Sequence, residues 1–322
     1  MNEGAANEGL EPTLELTLDH LAAVEALERA LLDGLDVEHC PQRSAVPVPA
    51  GELLLMPAAI GGFAGVKVAG VAPANPAAGL PRITGSYLLL DGPTLQPLAL
   101  LDGAALTALR TPAVTALALR ALAGPDAAHL VVFGAGPQAF GHVAAVRAVL
   151  PLERVTVVAR RPGPAAELAR FAASSGLDAA VGGPEAVAKA DVVVCCTTAR
   201  TPLFDGRLVP DGAAVAAVGS HEPDAREVDA ELVGRAQLFV EARAVARREA
   251  GDLLMAGAAE ERQINLSELV TGGAVVRHDR PRLFKSVGMA WQDLAVAAAQ
   301  YDARHRSRSG SGTGSGRSRS AT

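Results

Sequence analysis

Hydrophobic positions follow two different patterns along this chain, and the change comes near residue 123. In the first part, residues 17–34 carry apolar positions at helical spacing, with Thr17 as the expected cap. Residues 43–71 run apolar in short alternating pieces, and residues 86–103 contain two apolar runs around a Gly-Pro turn. These patterns predict one helix followed by a sheet of short strands that ends in a hairpin.

The segment after the hairpin is helical in pattern but contains a proline. Pro112 is typical of a first helical position, and Thr111 before it is a suitable cap. We therefore expect Arg110 at a break between two helical pieces, beside a helix N-terminus.

From residue 129 onward, short and nearly all-apolar runs alternate with helical segments. Examples of the predicted strands are HLVVF, RVTVV, DVVVCC, AAVAAV and a last one, QLFV. The segment PEAVAKA, residues 184–190, is among the predicted helices. Strands that are apolar on both faces and alternate with helices indicate a parallel sheet covered on both sides. We predict an α/β fold with a Rossmann-type doubly wound nucleotide-binding domain.

The turn after the first of these strands fits the dinucleotide pattern G-x-G-x-x-A. Its expected cofactor-binding residues are Gly134, Gly136, Pro137, Gln138 and Ala139. Glycines there allow a tight turn and let backbone amides approach a pyrophosphate at the N-terminus of the next helix. Because a strand precedes the motif and a helix and a second strand follow it, the pattern predicts dinucleotide binding rather than a purely structural glycine turn.

The end of the second strand indicates which dinucleotide is bound. NAD-specific sites carry an acidic residue there for the ribose hydroxyls, whereas this chain has Arg160 and Arg161. A guanidinium can grip a 2′-phosphate, so we expect NADP(H) as the favoured cofactor. NAD(H) stays possible, since one arginine could merely stack on the adenine.

The amino-acid composition argues against several classes of protein. The chain has 322 residues, 49% of them hydrophobic and 3% aromatic, with a formal net charge of −6. No basic face is expected in the body of the chain, so nucleic-acid binding is not predicted. Neither a secretion signal nor a membrane span is recognisable. The three cysteines form no disulfide framework, which favours a cytoplasmic protein.

The two ends are predicted to be disordered. Residues 1–12 are small and polar, and residues 304–322 are a Ser/Gly/Arg low-complexity tail. Contact of the basic tail with RNA or a membrane surface is the alternative to a solvated tail.

The stretch VGSHEPDAREVD, residues 218–229, concentrates serine, histidine and four acidic residues. Ser220 and His221 are adjacent, so their side chains should diverge, and no nucleophile elbow is present. No metal-ligand spacing is present either. We therefore predict no hydrolytic triad and no metal site, and expect Glu227 and Asp229 to cap or pair at the following helix.

Six blocks in one order make the chain resemble the ornithine cyclodeaminase/mu-crystallin family over about residues 14–303. They are KVAGVAPANPAAGLPRITG, LDGAALTALRTPA, GAGPQA, ADVVVCCTT, VGSHEPDAREVD and LFKSVGMAWQDLAVAAA. The resemblance implies a homodimer in which the Rossmann domain, residues 123–283, is inserted in an α+β substrate and dimerisation domain. That second domain comprises residues 13–122 and the returning helix in residues 284–303.

The family also implies a chemistry, transfer of hydride between a nicotinamide and the α-carbon of an amino acid or imine. By motif position, Arg43 is expected to grip the substrate carboxylate. Lys67 is expected near the reacting carbon, as a candidate for proton transfer if burial lowers its pKa. Arg110 is expected to face cofactor phosphate or substrate carboxylate.

Further positions follow from the same resemblance. Ser286 and Val287 are expected to close over nicotinamide and substrate, and Thr197 and Val218 to line the cofactor. Alternatives remain for three residues: Arg43 as a surface residue, Lys67 as an ordinary strand-edge lysine, and Ser286 as a helix cap.

Two departures from the cyclodeaminase pattern bear on function. Arg82 stands where that pattern has threonine, and Ser220-His221 stands where it has glycine-aspartate, whose carboxylate handles the substrate amine. His221 could take over as acid or base, because its ordinary pKa is near neutrality. Glu222 could substitute instead, or His221 could only pack near the cofactor.

We therefore expect an NADP(H)-dependent oxidoreductase that acts on the C=N or C–N bond of a small amino acid or cyclic imine, of the ketimine reductase or amino-acid dehydrogenase type. The alternatives are an ornithine cyclodeaminase, which forms proline and ammonia, and a non-catalytic NADPH- or ligand-binding protein of the mu-crystallin type.

Overall fold

The computed structural model describes the backbone of residues 13–310 and the side chains of residues 13–306. Within that range the chain forms two sheets, of which the first is antiparallel with five strands in sequence order. Its strands are Ser44–Val48 (β1), Gly51–Ile60 (β2), Phe63–Val71 (β3), Ile83–Asp91 (β4) and Pro97–Asp102 (β5). The predicted sheet is confirmed, although β2 has 10 residues and β3 and β4 have 9 each, so these strands are longer than expected. The hairpin is also confirmed, since β4 and β5 pair antiparallel.

The second sheet has eight parallel strands in the described range, in the order β12-β11-β13-β10-β9-β6-β7-β8. Its strands are His129–Phe133 (β6), Arg154–Val158 (β7), Asp178–Val181 (β8), Val192–Cys195 (β9), Ala214–Ala217 (β10), Gln237–Val240 (β11), Gln263–Asn265 (β12) and Arg282–Lys285 (β13). The predicted α/β class and parallel sheet are confirmed.

Two strands of the parallel sheet lie beyond the predicted last one. β12 is three residues long, and β13 begins and ends with the cations Arg282 and Lys285, so neither shows an apolar run. β13 nevertheless lies in the sheet interior, between β10 and β11. The predicted domain boundary between residues 283 and 284 therefore falls inside a strand, and the parallel domain continues to Lys285.

Helices cover the parallel sheet and one face of the antiparallel sheet. They are His20–Leu32 (α1), Gly103–Leu122 (α2), Pro137–Val149 (α3), Pro162–Ser174 (α4), Ala230–Arg235 (α5), Arg243–Glu249 (α6), Gly251–Leu254 (α7), Leu266–Val270 (α8) and Ala290–Gly310 (α9). The segment Pro184–Lys189, predicted as an α-helix, is a 3-10 helix. In the described part of the chain, none of the helices combines the length and the apolar character that crossing a membrane requires.

Helix α2 corrects the expected break at Arg110. The helix starts after the cap Asp102, whose side chain accepts the amides of Ala104 and Ala105, and it runs unbroken through Pro112. Helix α3 packs tightly on this proline, because a Cβ on Gly141 would lie 2.7 Å from the Pro112 ring. The proline is buried along with most of the second half of α2, so tertiary packing offsets the hydrogen bond that it removes.

The first and last helices differ from their predicted ends. Helix α1 is capped by Asp19, whose carboxylate accepts the amide of Ala22 at 2.8 Å. The amide of Thr17, the expected cap, donates instead to Oε1 of Gln300 in α9 at 2.8 Å. Helix α9 continues to Gly310, beyond the predicted start of the disordered tail at residue 304. Residues 1–12 and 311–322 lie outside the described residues.

Helix α9 is the return expected from the sequence. It leaves the carboxyl end of β13 through residues 286–289 and then packs on β2, β3, α1 and α2 of the first domain. Its first residues, Ala290 to Ala297, are buried. The short connection 286–289 therefore lies where the edge of the parallel sheet meets the antiparallel domain.

Candidate active site

The glycine-rich turn has the conformation that a dinucleotide site requires. Gly134 has φ +108°, and a Cβ on it would lie 2.7 Å from the carbonyl oxygen of Cys196. Gly136 precedes α3 without a side-chain cap, and a Cβ there would meet nothing within 4 Å. Pro137 is the first residue of the helix, and Ala139 is fully buried. The turn thus leaves open space at an uncapped helix N-terminus, which fits a pyrophosphate.

The side-chain oxygen of Gln138, next to this turn, has no hydrogen-bond partner among the described residues. This atom, Oε1, is buried. Buried polar atoms are normally hydrogen-bonded, so an unpartnered one at a helix N-terminus is consistent with a ligand contact.

Arg160 and Arg161 follow the carboxyl end of β7, as the sequence suggested. Both are exposed, and neither side chain has a hydrogen bond or ion pair to the part of the chain that the structure describes. The two guanidinium groups are therefore available to bind an anion beside the carboxyl end of β7. Their contact with a 2′-phosphate stays a prediction.

Glu227 ties together the two loops that carry the expected cofactor residues Thr197 and Val218. Its Oε1 accepts both the amide and the hydroxyl of Thr197 at 2.7 Å, and its Oε2 accepts the amide of Gly219 at 2.7 Å. The prediction that Glu227 caps or pairs at the next helix was wrong, because its side chain points inward and is fully buried. Asp229 does cap α5, accepting the amide of Leu232 at 2.9 Å.

A buried ion pair, Lys285 with Asp252, stabilises the loop that contains Ser220 and Glu227. Nζ of Lys285 lies 2.8 Å from Asp252 and donates to the carbonyl of Ser220 at 2.7 Å. Asp252 accepts the amides of Glu227 and Val228 at 2.6 and 3.0 Å. Burial raises the pKa of Glu227, and the nearby Lys285 cation opposes that rise. Neither Lys285 nor Asp252 was singled out from the sequence.

The connection 286–289 is fixed through its amides by Glu241. The Glu241 carboxylate accepts the hydroxyl of Ser286 at 2.9 Å, the amides of Val287 and Gly288 at 2.8 Å each, and Nε2 of Gln292 at 2.6 Å. Ser286 is buried four residues before α9 begins, so it is not a helix cap. Whether Ser286 and Val287 close over a nicotinamide stays a prediction.

Arg43 binds the same connection by donating hydrogen bonds to the backbone carbonyls of Val287 and Gly288. Its Nη2 donates to the carbonyls of Val287 and Gly288 at 2.6 and 2.7 Å and lies 2.9 Å from the carboxylate of Glu249. The side chain is 13% exposed, so Arg43 is not a surface residue. Its Nε and Nη1 make no hydrogen bond to the described residues, so N–H donors on these two atoms are left for an anion.

Lys67 and Arg110 meet at one buried carboxylate. Nζ of Lys67 donates to both oxygens of Asp293 at 2.9 and 2.8 Å, and to the hydroxyl of Thr107 at 3.1 Å. Nε of Arg110 donates to Asp293 at 3.2 Å, and its Nη1 donates to Gln292 at 2.9 Å. Lys67 is only 3% exposed and lies in the middle of β3, so it is not an ordinary strand-edge lysine.

Burial lowers the pKa of Lys67 to about 8, against the opposing effect of the Asp293 carboxylate. The Arg110 and Arg43 cations lower it further. A lysine with such a pKa can hold or release a proton near neutral pH, as proton transfer requires.

His221 is exposed in the loop after β10, within electrostatic reach of Arg43 and Arg82. Its pKa lies below the ordinary value, first because surrounding protein removes water from part of the ring and second because Arg43 is cationic. Glu222, the other candidate to replace the aspartate, forms an ion pair with Arg200. His221 is therefore neutral at pH 7, and Glu222 is already engaged.

The structure thus brings together Arg43, Lys67 and Arg110, and places His221 at the edge of this group. Sequence reasoning missed the residues that hold them: Glu241, Gln292 and Asp293. For Gln292 and Asp293 a signal was present, since WQDLAVAAA places two polar residues in an otherwise apolar sequence directly after KSVGMA.

Comparison with known proteins decides the family. The sequence profile of the ornithine cyclodeaminase/mu-crystallin family matches residues 11–308. The chain belongs to the ornithine cyclodeaminase/mu-crystallin family. The resemblance inferred from the six sequence blocks is confirmed.

Relatives in the ornithine cyclodeaminase/mu-crystallin family include reductases of cyclic imines. Delta(1)-pyrroline-2-carboxylate reductase 2 of Burkholderia ambifaria is 35% identical over 294 residues, which are 91% of this chain and 91% of the relative. The structure of Thermococcus litoralis Delta(1)-pyrroline-2-carboxylate reductase with NADH and L-proline has a TM-score of 0.85 and 31% identity, over 92% of this chain and 96% of that one. An archaeal alanine dehydrogenase dimer with bound NAD has a TM-score of 0.87 and 27% identity, over 93% and 97%.

Proposed function

We propose that this protein is an NADP(H)-dependent reductase of small cyclic imines that carry a carboxylate next to the C=N bond. The observation that carries the proposal is that two suitable groups lie in one site. Arg43 keeps N–H donors without a partner among the described residues, and the buried amine of Lys67 has a pKa of about 8. Arg43 is suited to bind an anionic substrate, and Lys67 is suited to transfer one proton to it.

The residues at the glycine-rich turn fit a nicotinamide dinucleotide. Gly134, Gly136 and Pro137 would approach the pyrophosphate, and Arg160 and Arg161 would hold the 2′-phosphate of NADP(H). When bound, the reduced cofactor supplies the hydride that adds to the imine carbon. The preference for NADP(H) over NAD(H) rests on the two free arginines, whereas the similar structures bind NADH and NAD.

The side chains of this chain then perform three tasks. An N–H of Arg43 without a partner in the described part of the chain, on Nε or Nη1, donates to the substrate carboxylate. Lys67 gives a proton to the imine nitrogen as the carbon gains hydride, so that C=N becomes a secondary amine. Glu241 holds the connection 286–289 in place, because it binds the amides of Val287 and Gly288.

His221 fits this reduction better than a ring-closing deamination. A neutral imidazole does not provide the negative charge with which an aspartate handles a substrate amine. Imine reduction has no need for that charge, because the nitrogen that Lys67 protonates is already part of the ring.

A homodimer is part of the proposal. One face of the antiparallel sheet packs on α2 and α9, and the other carries apolar side chains exposed to solvent, namely Val46, Leu53, Leu55 and Val68. A second copy covering this face would bury that row, and a similar structure is an alanine dehydrogenase dimer.

The cysteines, Cys40, Cys195 and Cys196, are free thiols, which supports the proposal of a cytoplasmic location.

A substrate screen tests the function. Purified protein is mixed with Δ1-pyrroline-2-carboxylate or Δ1-piperideine-2-carboxylate and NADPH or NADH, and cofactor absorbance and the cyclic amino acid formed are followed together. Both signals should change in equal amounts, faster with NADPH.

Parallel reactions contain 2-oxo acids with ammonia or methylamine, and ornithine with catalytic NAD⁺. Proline and ammonia released from ornithine, with no imine reduced, would make the protein a cyclodeaminase. NADPH binding without turnover of any substrate would make it a non-catalytic binding protein.

A further inference from the structure

Asp293 stands between the two cations of the candidate site. It lies in the first turn of α9 with 0% exposure, and its oxygens accept hydrogen bonds from Lys67 of β3 and Arg110 of α2. We infer that Asp293 is the positioning residue of this site, which fixes the amine of Lys67 and the guanidinium of Arg110 in one orientation for the reduction proposed above.

The division of charge at this carboxylate supports a role beyond fold stability. Asp293 carries one negative charge and is shared by two cations, while the second guanidinium, Arg43, has Glu249 as its acidic neighbour. The Lys67, Arg110 and Asp293 group therefore keeps a surplus of one positive charge. A structural ion pair gains nothing from an unpaired buried cation, whereas a site for a carboxylate substrate needs one.

The hydrogen bonds around Asp293 leave one N–H group of Arg110 without a partner in the part of the chain that the structure describes. Arg110 uses Nε for Asp293 and Nη1 for Gln292, and its Nη2 has no partner among the described residues. Lys67 is held by Asp293 and Thr107 from two directions. The carboxylate thus fixes the amine of Lys67 and the guanidinium of Arg110 relative to each other.

The charge on Lys67 depends on the same contact. The groups that face its amine are Asp293 of α9, Thr107 and Arg110 of α2, Arg43 before β1, and Tyr87, its register partner in β4. Asp293 is the acidic group among those that act on Lys67, and it opposes burial and both arginines. Without it, the pKa of Lys67 would fall further, and less of the amine would carry a proton to give.

The sequence offers a direct test that does not depend on turnover. The chain contains three lysines in all, Lys67, Lys189 and Lys285. Protein labelled with [ε-13C]lysine therefore gives three methylene signals, which Lys67→Met and Lys189→Arg assign. The pH titration of the Lys67 signal reports its protonation, and the Lys285 signal, from the buried pair with Asp252, reports whether the fold is intact.

The decisive comparison is Asp293→Asn against wild type. Removal of the charge should lower the midpoint of the Lys67 titration by about 1–3 pH units, as expected for loss of an adjacent opposite charge. The high-pH limb of kcat/KM for imine reduction should move by the same amount. Thr107→Val is the matched control, because it removes an uncharged partner of the same amine and should shift the midpoint far less.

An unchanged Lys67 midpoint in Asp293→Asn, with the Lys285 signal intact, would overturn the inference even if the protein reduces imines. If this variant does not fold, Asp293→Glu decides the question. The longer side chain moves the carboxylate relative to Lys67 and Arg110, so we expect Lys67 to titrate at a different pH from wild type, and an identical titration would reject the positioning role. Failure of the proposed function is seen separately, as absence of imine reduction in the wild type.

Discussion

Gly288 turns directly over the guanidinium of Arg110. Its φ is +84°, and a Cβ at this position would lie 2.8 Å from Nη1 and 3.1 Å from Nη2 of Arg110. The backbone of the connection 286–289 and the cation of α2 are therefore fitted to each other. A side chain at residue 288 must move Arg110 away from Asp293 or shift the connection away from Arg43.

Gly288→Ala is expected to impair both stability and catalysis. The left-handed backbone alone should cost about 1–2 kcal/mol, and displacement of Arg110 should raise KM for the imine. Gly257→Ala is the matched control, since Gly257 has φ +66° and open space around its Cβ position. Chemical unfolding and steady-state kinetics measure both effects, and an equal loss of activity in the two variants would contradict a special role for residue 288.

The arginines after β7 predict a cofactor switch. Arg160→Glu combined with Arg161→Ser should weaken NADPH binding by roughly 10- to 100-fold, the cost of losing a charge-assisted contact. NADH binding should change far less, since NADH has no 2′-phosphate. Arg154→Ser, at the other end of β7 and paired with Asp178 at 3.0 Å, should affect neither cofactor. Titration of each cofactor by nicotinamide fluorescence tests this, and parallel losses for NADPH and NADH would argue against the 2′-phosphate contact.

The pKa of Lys67 predicts the pH dependence of imine reduction. A proton donor must be protonated, so kcat/KM should be constant at low pH and fall as the pH rises through about 8, the pKa of Lys67. His221, whose pKa is lowered from its ordinary value, is neutral over this range. His221→Asn should therefore keep the fall near pH 8, whereas Lys67→Gln should abolish it along with most of the activity. A high-pH limb that disappears in His221→Asn would assign the proton to the histidine instead.

The sequence predicted the parts of this protein that depend on local pattern. Apolar runs and the G-x-G-x-x-A turn are short-range signals, so the parallel sheet and the cofactor turn could be located from them. The cluster at Asp293 could not, because Lys67 and Arg110 lie 226 and 183 residues away from it along the chain. For the same reason Glu227 was mistaken for a residue of the next helix, although its partners Thr197 and Gly219 belong to two separate loops. The break expected at Pro112 was wrong because packing against Gly141 outweighs local propensity.

Buried His142 predicts a loss of stability in acid. It bonds to the carbonyl of Gln138 at 2.7 Å and to the hydroxyl of Thr115 at 3.1 Å, and burial lowers its pKa to about 4. Because the unfolded histidine binds its proton near pH 6.5, its contribution is fully present above that pH and is lost as the pH falls towards 4. The shift corresponds to about 3 kcal/mol in the free energy of unfolding.

Urea unfolding of His142→Gln between pH 4 and pH 7 measures this contribution. The variant is less stable at pH 7, but its stability should fall less steeply in acid than that of wild type. Substitution of exposed His278 by Gln should leave the wild-type slope unchanged. Equal slopes in wild type and His142→Gln would show that another group governs the acid transition.

The exposed face of the antiparallel sheet predicts the assembly state. Leu55 faces Val68 across β2 and β3, Leu53 faces Val46 across β2 and β1, and these four side chains are 36–44% exposed. A charge inside such an apolar row would be buried without a partner in a dimer, so Leu55→Glu should convert the dimer to monomer or weaken it by orders of magnitude. Leu254→Glu places the same charge at a leucine that is 39% exposed in α7, away from the sheet, and should leave the mass in solution unchanged. Light scattering across a dilution series measures both, and a Leu55→Glu protein that keeps the wild-type mass would show that the copies do not meet through this face.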